Sequence, residues 1–241
     1  MKYISINDDL NLEDTKRAIS QVNRANLLFL IYCIAYCAVP FIYFLIVNIM
    51  NFTDIEDGFT TLFISIIIVN LIIILITFSF VVYFDKEKLQ YIGLTIKNLF
   101  KSLLLGLVGT SIFLLLSYLI TGEMYFDMST GGFFYISPFL ASAISSELVF
   151  RGYIQTRLSI IMKWKFLIII FSGILFIFTK IPLIMILRLD AQLVIIYAFS
   201  NFLIHIFNSI VLDKTKCIYG PIILNFVFSF TIFFTFWFRN L

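Results

Sequence analysis

Long apolar runs separated by short polar links organise this chain from residue 27 onward. The runs occupy 27–50, 59–84, 102–121, 133–150, 166–187, 191–212 and 218–238. A helix needs about 20 predominantly apolar residues to cross the hydrocarbon core of a bilayer, and each run is near or above that length. The pattern predicts an all-α fold, a polytopic transmembrane bundle of seven helices. Pro182, two residues after Lys180, can break the fifth helix. A short eighth span or a re-entrant turn therefore stays open at that point.

Ahead of the runs lies a polar lead over residues 1–25, in which Asp8, Asp9, Glu13 and Asp14 precede Lys16, Arg17 and Arg24. That order suits a helix dipole, and the lead is expected to lie along the membrane surface. Residues 26–241 are expected to form one membrane domain. Of 241 residues, 61% are hydrophobic and 13% charged, against about 25% charged in an ordinary globular domain. No secretory pattern precedes the first run, which is too long for a signal-peptide core and is expected to stay uncleaved.

Positive residues are retained on the cytoplasmic side of a membrane. Taken alternately, the links hold 14 and 3 of the 17 Lys and Arg residues, the larger set including the N-terminal lead. The count predicts a multi-pass protein of the cell membrane with its N-terminus in the cytoplasm and, for seven spans, its C-terminus outside. The net charge of +3 comes from this asymmetry rather than from a basic face, so nucleic acid is not an expected partner. Lipid is.

Cys33 and Cys37 fall inside the first run and Cys217 near a predicted cytoplasmic edge, which is no disulfide framework. His205 is the single histidine, so a zinc site built from several imidazoles is excluded and no metal or other cofactor is expected. Ionisable groups within the hydrocarbon cost roughly 2.5 to 3.5 kcal/mol on insertion scales and usually face the bundle interior. Glu147 and Arg151 are four residues apart in the fourth run, a spacing that lets them pair on one helical face. Lys180 in the fifth run, Asn225 in the seventh, and His205, Asn201 and Asn208 in the sixth complete the candidates for a central polar cluster. Each has a plainer role. Arg151 can snorkel to the interface, Lys180 can sit at the outer surface, and His205 and the asparagines can join helices by hydrogen bonds.

At 145–157 the sequence SSELVFRGYIQTR resembles the first signature of the CAAX protease and bacteriocin-processing (Abi) family, Glu-Glu-x-x-x-Arg followed by Gly-Tyr. Glu147, Arg151, Gly152 and Tyr153 fit it. The second signature, Phe-x-x-x-His, corresponds to Phe176 through Lys180, and the third, His-x-x-x-Asn or Asp, to Asn225 through Ser229 in GPIILNFVFS. LQYIGLTIKNLFKSLLLG over 89–106 is similar to the stretch before the family's core, so the likeness covers roughly 89–230.

In that family the first Glu and the second-signature His are held to activate water, and the third-signature pair to stabilise the oxyanion. The resemblance places Ser146, Lys180, Asn225 and Ser229 at those four positions, where general-base hydrolysis has no obvious base. Asn225 could still donate to an oxyanion, and a Ser146–Lys180 dyad is chemically conceivable. The expectation is a catalytically degenerate relative, similar to lysostaphin-resistance proteins, that serves as a membrane scaffold or regulator of other membrane or cell-envelope proteins. One alternative is an active intramembrane endopeptidase that uses Glu147, in peptide processing or bacteriocin self-immunity. Another is a transporter or channel subunit, since buried ionisable groups also line substrate paths.

Overall fold

A computed structural model describes residues 12–50, 55–121, 132–181 and 191–239. Their regular structure is helical: α1 (Leu12–Met50), α2 (Ile55–Ser79), α3 (Leu99–Thr121), α4 (Gly132–Ser146), α5 (Gln155–Ile161), α6 (Lys165–Phe178), α7 (Ala191–Thr215) and α8 (Tyr219–Arg239). Two wider π-helical segments, Phe80–Phe84 and Glu147–Ile154, extend α2 and join α4 to α5. A 3-10 turn covers Leu89–Ile92.

Among the described residues, Thr15–Leu45, Thr60–Phe84, Leu99–Leu116 and Val194–Thr215 are long and apolar enough to cross a membrane. Lys165–Phe178 and Tyr219–Ile232 are apolar but shorter. The seven expected spans are thus matched by four of full length. The fifth differs most: α6 ends at Phe178, and Pro182 with the rest of the expected span lies outside the described residues. Exposed side chains such as Ile34 and Phe44 on α1 and Leu107 and Leu115 on α3 leave apolar faces larger than a water-soluble monomer exposes. These features make the chain a multi-pass membrane protein.

The lead does not form a separate surface element where it is described, because residues 12–25 continue as the first turns of α1. Arg24 Nε donates to Asp85 Oδ1 at 2.9 Å, and Arg157 Nη2 bonds Asp85 at 2.9 Å and Glu87 at 2.7 Å. Asn98 donates to the Thr215 carbonyl at 2.9 Å, and Lys165 pairs with Asp213 at 3.1 Å. These contacts gather the start of α1, the α2–α3 link, α5 with the start of α6, and the α7–α8 link at one end of the bundle. They belong to the segments richest in Lys and Arg.

Small residues set the closest helix contact. A Cβ on Gly220 would lie 2.0 Å from the Ser102 carbonyl oxygen, and one on Gly106 would lie 2.5 Å from that of Gly220. The approach lets Ser102 Oγ donate to the Cys217 carbonyl at 2.8 Å and accept from the Gly220 N–H at 3.1 Å. Small residues at such crossings let backbones pack where lipid offers no hydrophobic drive. The core around Leu28, Tyr32, Phe150, Tyr153 and Phe176 then closes against the π-helical segment.

Candidate functional site

The polar centre is built on the segment that follows α4. Ser146 ends α4, and Glu147 opens the π-helical run to Ile154, all of it buried. Such wide turns occur frequently at functional sites. Gly152 allows this one its position, since a Cβ there would lie 2.8 Å from the Ile92 carbonyl oxygen. Gly93, next along, takes φ +88, a conformation suited to glycine, and its carbonyl accepts the Ile218 N–H at 3.0 Å. The 3-10 turn, the wide segment and the start of α8 are thereby held together.

Glu147 and Arg151 form the ion pair that their spacing predicted, and both are fully buried. Two further groups converge on the same oxygen: Asn225 Nδ2 from α8 donates to Glu147 Oε1 at 2.7 Å, and Asn208 Nδ2 from α7 at 3.1 Å. Asn225 Nδ2 also lies 3.0 Å from Ser146 Oγ, which donates to the Ala143 carbonyl at 3.2 Å. Asn208 Nδ2 reaches the Pro221 carbonyl at 3.1 Å as well. Three helical elements therefore meet at one carboxylate. Glu147 Oε2, Arg151 Nε and Nη2 and Asn208 Oδ1 are buried without a hydrogen-bond partner among the described residues.

Lys180 lies beside this cluster rather than in it. It is 5% exposed, and its ammonium lies 4.8 Å from the centre of the Phe176 ring. The Arg151 guanidinium lies 5.3 Å from the same ring, so one aromatic ring attracts both cations. Lys180 thus faces the bundle interior rather than the outer surface. No described hydrogen bond joins it to Ser146, and the Ser146–Lys180 dyad is not assembled. Ser229 Oγ donates to Asn225 Oδ1 at 3.4 Å, a long bond along α8.

His205 joins helices: its Nε2 lies 2.9 Å from Ser172 Oγ on α6. Asn201 is spent within its own helix, donating to the Tyr197 carbonyl at 2.8 Å. Asn208, read from sequence as helix glue, is also a direct ligand of Glu147. A second polar cluster had no sequence signal. Tyr36 Oη donates to Asn70 Oδ1 at 2.8 Å and lies 2.9 Å from Ser142 Oγ, and Ser145 Oγ also bonds Asn70. It ties α1 and α2 to α4 one residue before Ser146. Among the described residues no group of three His, Cys, Asp or Glu side chains could hold a metal ion.

Residues 127–231 match the family described as Rce1-like, Type II CAAX prenyl endopeptidase Rce1-like. The match contains all three signature stretches but begins after the 89–106 segment that also resembles the family. It spans less than half of the chain. No curated protein and no solved structure matches the chain.

Proposed function

We propose that this membrane protein, which carries a CAAX prenyl endopeptidase-like domain over residues 127–231, is a pseudoenzyme that works as a scaffold or regulator for other membrane or cell-envelope proteins. The observation that carries the reading is the occupation of Glu147 Oε1 by three N–H donors, from Arg151, Asn208 and Asn225. A general base must hold a lone pair against the water it activates. This carboxylate is instead enclosed, with no exposed surface, by donors from three elements. At the other positions that the family uses for catalysis stand Ser146, Lys180, Asn225 and Ser229, none of them an imidazole or a second carboxylate.

An endopeptidase that works through Glu147 is the alternative, favoured by its second oxygen, which lacks a hydrogen-bond partner, and by Asn225 beside it as an oxyanion donor. Purified protein offered prenylated and unprenylated CAAX peptides separates the two. The scaffold reading expects no cleavage above that of a Glu147→Gln variant. Turnover that Glu147→Gln or Lys180→Ala abolishes overturns it. Crosslinking in the native membrane is expected to recover a membrane or envelope protein held by the wild type.

The same reading assigns the seven-span topology with the N-terminus in the cytoplasm. Its support is the excess of Lys and Arg in the segments that meet at one end of the bundle. Single cysteines at Lys97 and Lys163, with the native cysteines changed to Ser, are expected to react with an impermeant maleimide only after the cells are opened. Labelling of intact cells reverses the orientation.

A further inference from the structure

The basic end of the bundle contains a cavity of about 400 Å³ that is separate from the Glu147 carboxylate but reaches its partner, Arg151. The residues 90–98, the π-helical segment with α5, the start of α6 and the end of α7 enclose it. Gln155, Ser209 and Asn98 supply neutral polar groups to its wall, and Lys97, Lys165 and Lys216 line it alongside one acid, Asp213. Arg151 is buried, and its Nε and Nη2 have no acceptor among the described residues. Ion pairing takes only Nη1 of that guanidinium. Arg151 is balanced by Glu147, and the three lysines outnumber Asp213, so the lining carries excess positive charge suited to an anion with several acceptor oxygens.

We propose that this cavity binds a phosphate group, the shared chemistry of an anionic phospholipid headgroup and of a soluble phosphoester. Arg guanidinium and Lys ammonium groups are the side chains best suited to phosphate oxygens. Asp213 sets a ceiling on the affinity, because it pairs with both Lys165 at 3.1 Å and Lys216 at 2.7 Å. Trp164 at 71% exposure and Tyr91 at 43% flank the same end of the bundle, in the manner of aromatic residues at the level of lipid headgroups. A headgroup reached from the bilayer side and a soluble anion reached from the aqueous phase are the two sources that the proposal allows.

The full chain, purified in a neutral detergent, is titrated with phosphatidylglycerol in mixed micelles and, separately, with inorganic phosphate and glycerol 3-phosphate. Unfolding temperature and native mass spectrometry report binding. Saturable stabilisation is expected, with affinity lowered about fivefold by Lys97→Gln. Asp213→Asn is expected to act in the opposite direction and strengthen binding, a sign that loss of fold would not produce. Retention of phosphatidylglycerol without a response to the soluble anions identifies a headgroup site. A response to the soluble anions with the same order of variants identifies a phosphoester site. Absence of saturable binding by either, or binding that neither variant changes, overturns the proposal.

Discussion

Asn225 on α8 donates a 2.7 Å hydrogen bond to Oε1 of Glu147, the first residue of the π-helical segment after α4. The residues are 78 positions apart and both are buried, so the bond closes the domain rather than decorating a helix. A hydrogen bond to a charged group is worth about 1.5 to 3 kcal/mol. Asn225→Ala is expected to lower stability by about that amount, read as the unfolding temperature in detergent. Asn225→Asp should cost more, since it sets a second carboxylate against the first. An unchanged unfolding temperature in both would remove Asn225 from the account of how the domain is held together.

Arg151 and Glu147 are both fully buried. Removing one member of such a pair strands the other and costs about 3 to 5 kcal/mol, whereas replacing both with apolar groups is often neutral. Arg151→Met and Glu147→Leu are therefore each expected to reduce the folded yield strongly, and the double variant to recover much of it. The cycle distinguishes a structural pair from two independent residues. Additive losses would mean that Asn208 and Asn225, not Arg151, determine the state of Glu147.

Gly220 packs where no side chain fits. Its added Cβ would lie 2.0 Å from the Ser102 carbonyl oxygen, a backbone atom that cannot swing aside. Gly220→Ala is expected to cost at least the 1 to 3 kcal/mol or so typical of overpacking and to loosen α3 from α8. Gly109→Ala presses instead on the edge of the Phe207 ring, 2.5 Å away, which can move. The first variant should lose more stability than the second in the same thermal assay.

Much of this arrangement was legible from local spacing. The apolar runs locate the helices, and the i, i+4 spacing of Glu147 and Arg151 gives their contact, because both depend on residues close in sequence. Asn208 was a candidate for the central polar cluster, with joining helices as its plainer role, and nothing in its spacing named Glu147 as its partner. Its bond to Glu147 depends on how α7 crosses the segment after α4, a relation spanning 61 residues. Arg157 entered only the count of basic residues in the links and Asp85 carried no signal, yet they meet across 72 residues. The π-helical geometry of Glu147–Ile154 likewise has no hydropathy signature, since the segment remains apolar and buried through the change of pitch. Gly152 entered only as part of the family signature, and its close approach to the Ile92 carbonyl depends on the folded chain.

Asp85 and Asp213 occupy the same end of the bundle and carry opposite weights. The Asp85 side chain is fully buried and receives Arg157, 1% exposed, and Arg24. Asp213 is 42% exposed and pairs with lysines more than half exposed. Exposed pairs contribute about 0 to 1 kcal/mol, whereas stranding a buried charge costs about 3 to 5 kcal/mol. Burial works against the Arg157 charge, but Glu87 and Asp85 outweigh it and raise its pKa above the ordinary arginine value. A raised pKa in the folded state gives stability that is fully present below the unfolded arginine value and is lost only as pH rises through the still higher folded one. The contribution of Arg157 is therefore constant through neutral pH. Asp85→Ala is expected to destabilise the protein strongly at every pH near neutrality, while Asp213→Ala stays within about 1 kcal/mol of wild type. Limited proteolysis around residues 86–98 should show the difference directly, because loss of Asp85 leaves only Glu87 to tie that link to α1 through Gln21 and to α5 through Arg157. Equal sensitivity of the two variants would show that the buried network does not hold the link.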